Sequence, residues 1–347
     1  MTSAFAKEEH RVHRRFVQGL IAGAALLTAG LATPVARAED ASKPTVVRLG
    51  IINAASSATL WALPEIGKKY SLDFKEVTFQ RYADARTALA AGDIDAANIG
   101  PQDIALSLNQ GVRSIVALAG TASGGNCLAV RNGVTINDWQ QLKGKSIGIG
   151  AGSISWLMFA ASVAENGLDY NTLKTINIFG SGMTFTKAMQ DRQIDMMVAW
   201  QPFCAQAVLG GYGSYPGIDH LKSRAVDGLD GIFVTTRAFM ATHPAALDRV
   251  VAAYVELVNR FQAHHDEWTK VYAEKTGIDP KLAAESVRNA TLHYTLSADQ
   301  MVRIAKFLLE SGIIQHDVSG EVLQNIDYQP LMKATGKTEA ELGGATH

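Results

Sequence analysis

The 347-residue sequence contains neither a Gly-x-Gly-x-x-Gly dinucleotide fingerprint nor a phosphate-binding lysine loop. A catalytic constellation is also missing, because the serines in its small-residue turns have no obvious His or Asp partner in sequence. Positive charge is not in excess: 32 Lys and Arg face 33 Asp and Glu, a balance that disfavours nucleic acid as a partner. His264 and His265 are neighbours in a helical run, so their rings diverge, and a solvated face is expected there rather than a metal site. No cofactor and no metal are expected. The only two cysteines are Cys127 and Cys204. Their spacing does not establish bond geometry, so a disulfide and two buried thiols are both open, with thiols the expectation.

Long apolar runs are scarce too. One covers 17–33, after a basic stretch ending at Arg14-Arg15 and before Ala36-Arg37-Ala38, an A-x-A cleavage pattern. Residues 1–38 therefore read as a cleaved export signal, with an uncleaved N-terminal anchor as the alternative; the run is short and rich in Gly and Ala for a membrane span. The arginine pair is compatible with twin-arginine export and with the general secretory route. The cleavage site has no cysteine to carry a lipid. The expectation is a mature periplasmic protein that starts near Glu39 and is large enough for two domains.

What recurs in the rest is an apolar strand, a turn of small residues, and a helix. Strands are expected at 46–52, 74–79, 95–99 and 114–118, with helices from Ser56 or Ser57, at 83–91 and at 102–109. The pattern restarts with strands at 128–130, 146–149, 175–178 and 196–199 and helices at 154–166, 183–191 and 202–209. A strand at 231–235 then returns to the first sheet, followed by long helical runs at 245–276, 280–289 and 298–311. Such alternation makes mostly parallel sheets covered on both faces. The expected lobes are 45–125 plus 230–335 (lobe I) and 127–225 (lobe II), with hinge crossings near 124–128 and 220–231. A ligand cleft between them follows from strand ends that face it.

Four small-residue turns, near 53–57, at 100–102, at 150–155 and at 200–202, supply candidate contacts. Helix starts leave backbone N–H groups without partners, which suits an anion. Gly152, Ser153 and Ser155 form one such turn, and Asn53 and Ser56 form another; each hydroxyl could equally be a helix cap. Trp61, Trp156 and Trp200 flank these turns, as pocket walls or as core, and Ser181 precedes a further helix. Arg81 and Arg86 are expected at the surface or at the cleft rim.

Taken in order, Leu142-Lys143-Gly144-Lys145, Gly152-Ser153, Glu165-Asn166-Gly167-Leu168-Asp169, Ala188-Met189 with Asp195, and Ala199-Trp200-Gln201-Pro202-Phe203 resemble the second lobe of a known family. That family is the periplasmic binding proteins of ABC importers for nitrate, taurine and aliphatic sulfonates. The run from Ala88 to Asp95, followed by Ile99-Gly100-Pro101, is similar to their first lobe. The resemblance spans roughly 45–330. It implies an α/β, two-lobed, type II binding fold that closes over one ligand and delivers it to an ABC permease in the inner membrane. It also carries anion contacts onto Gly100, Gln102, Gly152, Ser153 and Ser155. Gln201 stands where taurine-type members have an acidic residue for an amine, and a neutral amide does not balance an ammonium.

The expected function is thus capture of a small organic anion, most of all an alkanesulfonate or related sulfonate, by a monomer without enzymatic activity. Nitrate, taurine and carboxylate binding are the alternatives, as is a ligand-sensing receptor subunit. An enzyme of the pyrimidine-synthase branch is disfavoured, because that branch's histidine-centred signature is not recognisable.

Overall fold

The computed structural model describes residues 43–345; the expected export signal lies outside them. The chain opens with β1 (Thr45–Ile52), α1 (Ala58–Ile66), β2 (Leu72–Phe79), α2 (Tyr82–Ala91), β3 (Ala96–Ile99), α3 (Gln102–Asn109) and β4 (Ile115–Ser123). β1 pairs in parallel with β2 and β3, as short strand-helix-strand units require. α2 stops at Gly92, which takes the left-handed conformation (φ 77°) that a residue with a Cβ adopts only at a cost.

A second run of units follows: β5 (Asn126–Arg131), β6 (Ser146–Ile149), α4 (Ile154–Glu165), β7 (Lys174–Asn177), α5 (Gly182–Gln190), β8 (Met196–Trp200), α6 (Phe203–Leu209) and β9 (Gly213–Ser214). They build a separate five-stranded sheet of order β7-β6-β8-β5-β9. The chain then returns as β10 (Leu229–Thr236), which inserts antiparallel between β3 and β4. Helices α7 (Arg237–Thr242), α8 (Pro244–Ala263), α9 (His265–Thr276) and α10 (Pro280–Val287) come next, then β11 (Thr291–Leu292) at the edge beside β4. α11 (Ala298–Glu310), α12 (Ser319–Gln324), α13 (Gln329–Thr335) and α14 (Glu339–Leu342) complete the fold. The first sheet has the order β11-β4-β10-β3-β1-β2.

Both sheets are built around a glycine on the strand that centres their parallel part. A Cβ on Gly50 of β1 would lie 2.6 Å from Ile94, and one on Gly148 of β6 would lie 2.7 Å from both Ile178 and Ile194. The Asp95 and Asp195 positions are equivalent in another way. Asp95 accepts the Arg48 backbone N–H and its guanidinium, while Asp195 accepts from Ser146 and Arg131. These two aspartates, part of the motifs that carry the family resemblance, fasten strands together.

The single helical run expected at 245–276 is two helices, broken at His264 (φ −132°). Neither Gly nor Pro marks the break, so periodicity does not register it. The expectation of free thiols is also overturned: Cys127 on β5 and Cys204 on α6 are joined in a disulfide. Burial of both side chains is compatible with either state, and the pairing of β5 with β8, which leads into α6, brings them together.

Candidate functional site

A cavity of about 260 Å³ lies between the two sheets. On the second-sheet side its wall begins where β6 ends. Gly152 takes φ 76°, which lets the chain turn sharply into α4. Ser153 caps that helix, and its Oγ accepts the Trp156 N–H at 3.1 Å. That bond uses a lone pair, so the hydroxyl proton remains free to donate. The N–H groups of Ile154 and Ser155, in the first turn, have no acceptor inside the helix. Together with the helix dipole they make a place for negative charge. Ten of the twelve residues of α4 are buried, which holds its N-terminus rigidly at the cavity.

Next to this turn the wall is aromatic and aliphatic. Trp200 meets Phe185 edge-on with ring centroids 5.8 Å apart, and Ile154, Ile178 and the 73% exposed Phe179 adjoin them. The first-sheet side contributes Ile52, Ser56, Tyr82, Gln102 and Leu106. It also contributes Arg81, paired with Asp84, and Arg86, whose guanidinium lies 2.7 Å from the buried Asp103. Burial pushes the Asp103 carboxyl up to about 6, with Arg86 and the Gly100 N–H pulling it back. Gln102 reaches across the cavity, its Nε2 donating to the Gly152 carbonyl at 3.4 Å.

The floor is formed where the chain passes between sheets. Asp230, at the start of β10, accepts the N–H groups of Gly125 (2.5 Å) and Asn126 (3.2 Å) and the Asn126 side-chain amide (2.7 Å). Burial pushes its carboxyl up to about 7, against the pull of those donors. Asn126 in turn accepts the Ser155 hydroxyl.

Seven of the twelve residues singled out from sequence line this cavity: Ser56, Gln102, Gly152, Ser153, Ser155, Trp200 and Gln201. Two of these have their functional groups engaged elsewhere. The Ser155 hydroxyl donates to Asn126 and to the Ala199 carbonyl, and Gln201 Oε1 accepts the Ala205 N–H, at the start of α6. The other five fall outside the wall. Trp61 stacks on Tyr272 in the core, and Trp156 packs edge-on against Tyr170. The Gly100 N–H is taken by Asp103 at 2.9 Å. The Asn53 N–H pairs with the Phe79 carbonyl, extending the β1–β2 ladder, and Ser181 sits at the half-buried start of α5.

Sequence reasoning missed Tyr82, Asp103, Asn126 and Asp230. Asp230 left one trace, an acid directly before an apolar strand; Asn126 directly follows Gly124-Gly125 at a crossing.

The NMT1-like family matches this chain over residues 40–302. The chain belongs to the NMT1-like family. No curated protein matches it by sequence. The NMT1-like chain shares its fold with the alkanesulfonate-binding protein SsuA of Xanthomonas axonopodis pv. citri bound to MOPS, at TM-score 0.70 and 17% identity, covering 82% of this chain and 99% of that one. The periplasmic nitrate-binding protein NrtA of Synechocystis PCC 6803 aligns at TM-score 0.72 and 14% identity, over 86% and 90%. The enzyme DSZB, solved with biphenyl-2-sulfinic acid, aligns at 0.66 and 14%, over 85% and 100%. The resemblance read from the sequence is borne out, and the fold is the two-lobed α/β type of these proteins.

Proposed function

We propose that this NMT1-like protein is the solute-binding component of an ABC importer, exported to the periplasm and monomeric. It captures a small organic anion between two lobes and hands it to an inner-membrane permease. The lobes correspond to the two sheets, and the hinge to the crossings at 123–126 and 214–229. The observation that carries this function is the α4 N-terminus: a free Ser153 hydroxyl and unpaired N–H groups face a cleft-like cavity between the sheets. Closure follows when a ligand contacts both walls at once, because only the shut form gains both sets of contacts.

Cavity size and lining select among anions. A four-atom anion such as nitrate would leave most of 260 Å³ to water, whereas a sulfonate with an apolar or aromatic body fills it against Trp200, Phe185 and Ile178. MOPS, named for SsuA, is a sulfonate with a ring body, and biphenyl-2-sulfinic acid, named for DSZB, joins the related sulfinate head to an aromatic one. Binding is favoured over turnover because the wall includes no histidine, the two cysteines are bonded to each other, and Ser155 has no base beside it. No helix among the described residues is long and apolar enough to cross a membrane.

Native mass spectrometry of protein from the host periplasm, followed by calorimetric titration with alkanesulfonates, arenesulfonates, nitrate and carboxylates, tests the proposal. Saturable one-to-one binding of a sulfonate is expected. Failure of every small anion to bind would overturn it.

A further inference from the structure

Two cavities share one wall where the chain crosses between the sheets. Asn126 and Gln201 line both the ligand cavity and a second one of about 230 Å³, so they form the partition between the two. The partition is tied to both crossings. The Gly124 N–H donates to the Gly228 carbonyl at 3.1 Å, and the Gln201 N–H donates to the Gly125 carbonyl at 2.9 Å. Beside the second cavity, α10 of the first-sheet half packs against α6 of the second-sheet half. A polar cluster bridges the halves there. Tyr215, on the second crossing, donates from its hydroxyl to Glu285 Oε1 on α10 at 3.1 Å. Arg288 lies 3.2 Å from the same carboxylate oxygen, with its guanidinium 5.9 Å from the centre of the Tyr215 ring. All three residues line the second cavity, and none lines the ligand cavity.

A partition that also carries the crossings is a pivot: rotation that narrows the cavity in front of it widens the cavity behind. The Tyr215–Glu285 bond, behind the pivot, is intact while the cleft is open and is stretched as the cleft shuts. Whatever restrains closure lowers the population of the shut form, and the apparent affinity for a ligand falls by the same factor. We propose that Tyr215, Glu285 and Arg288 form a rear latch that restrains closure and so sets the affinity of the cleft from outside it. This rests on the two-lobed binding function proposed above and adds a means of tuning it. The latch is modest in strength, because Tyr215 is 36% exposed and water competes for its hydroxyl. Its loss shifts the balance of open and shut forms severalfold, in the direction of tighter binding. Damage to the fold would shift affinity the other way.

Tyr215→Phe, which removes the hydroxyl and keeps the ring, and Glu285→Ala test this. Spin labels on Thr78→Cys and Met183→Cys, exposed positions on the first-sheet and second-sheet halves, report the lobe separation of the ligand-free protein by pulsed electron resonance. The two native cysteines are bonded to each other and take no label. In both latch variants the distance distribution is expected to move toward shorter separations. Calorimetric titration with benzenesulfonate and butanesulfonate is expected to show about threefold tighter binding than in the wild type. Unchanged separations would overturn the latch whatever the affinity, and would leave the anion site standing if the wild type binds. Weaker binding in Tyr215→Phe would overturn the latch as well. Shorter separations with no sulfonate bound by any of the proteins would keep the latch and overturn the anion-binding function.

Discussion

The hydroxyl of Ser155 donates to Asn126 and, at 3.0 Å, to the Ala199 carbonyl, while Ser153 two residues earlier keeps its proton for the cavity. The two serines of one helix start are therefore expected to separate in mutagenesis. Ser153→Ala should weaken anion binding by about tenfold and cost about 1 kcal/mol of stability through the lost cap. Ser155→Ala should cost about 1–3 kcal/mol by stranding buried partners and change affinity by less. Urea denaturation alongside calorimetry measures both. Equal affinity losses would remove the distinction.

The disulfide between Cys127 and Cys204 closes a loop with a sequence separation of 77. On loop-closure entropy alone, a cross-link of that span stabilises by about 4.5 kcal/mol. The double variant Cys127→Ala, Cys204→Ala should melt well below the oxidised wild type. Melting curves that coincide with and without reductant would show that the bond contributes little.

His220 is buried, and its Nε2 has no partner among the described residues. Burial pushes the imidazole down to about 4 from an ordinary 6.5. The unfolded chain thus takes up a proton below 6.5 that the folded chain refuses until about 4, so stability is lost as pH falls through that window. Relative to His220→Gln, the wild type should lose up to about 1.4 kcal/mol per pH unit between those values. Parallel stability curves for the two proteins would contradict the assignment.

Asp230 works in the opposite direction. Its carboxyl, pushed up to about 7 by burial, keeps a proton that the unfolded chain has released from about 4 upward. Its contribution makes the folded state lose stability as pH rises from 4 to 7. In Asp230→Asn that pH dependence should disappear, and the variant should gain on the wild type across the window. Denaturant midpoints at several pH values read this directly.

Trp200 is half-buried in the cavity wall, whereas Trp61, Trp156 and Trp268 are in the core. Ligand binding should change intrinsic fluorescence mainly through Trp200, so Trp200→Phe should remove most of the signal in a stopped-flow or equilibrium titration. An undiminished signal would place the ligand elsewhere.

Most of the fold was legible because its units are local. Strand β6, the α4 start at Ile154 and the whole of α3 coincide with their sequence expectations, since an apolar run, a small-residue turn and a helical period lie next to each other in the chain. The return of β10 to the first sheet was legible for the same reason, as a lone apolar strand between two stretches of different character. The break at His264 was not, because no Gly or Pro marks it. At the site, turns could be read but the direction of a side chain could not. Gly100 looked like an open anion turn until Asp103, three residues on, occupied its N–H. Trp61 and Trp156 adjoin the right turns and point into the core. Asp230 and Asn126 come from sequence positions a hundred residues apart, and their partnership exists only after the chain has crossed between sheets twice.

The insertion of β10 between β3 and β4 also sets an order of assembly. The second sheet is contiguous and can close once residue 214 has been made, but the first lacks an interior strand until residue 236 is available. During vectorial synthesis the half that begins later can be finished earlier. Until then β3 and β4 wait with open edges, a window in which a chaperone has most to protect.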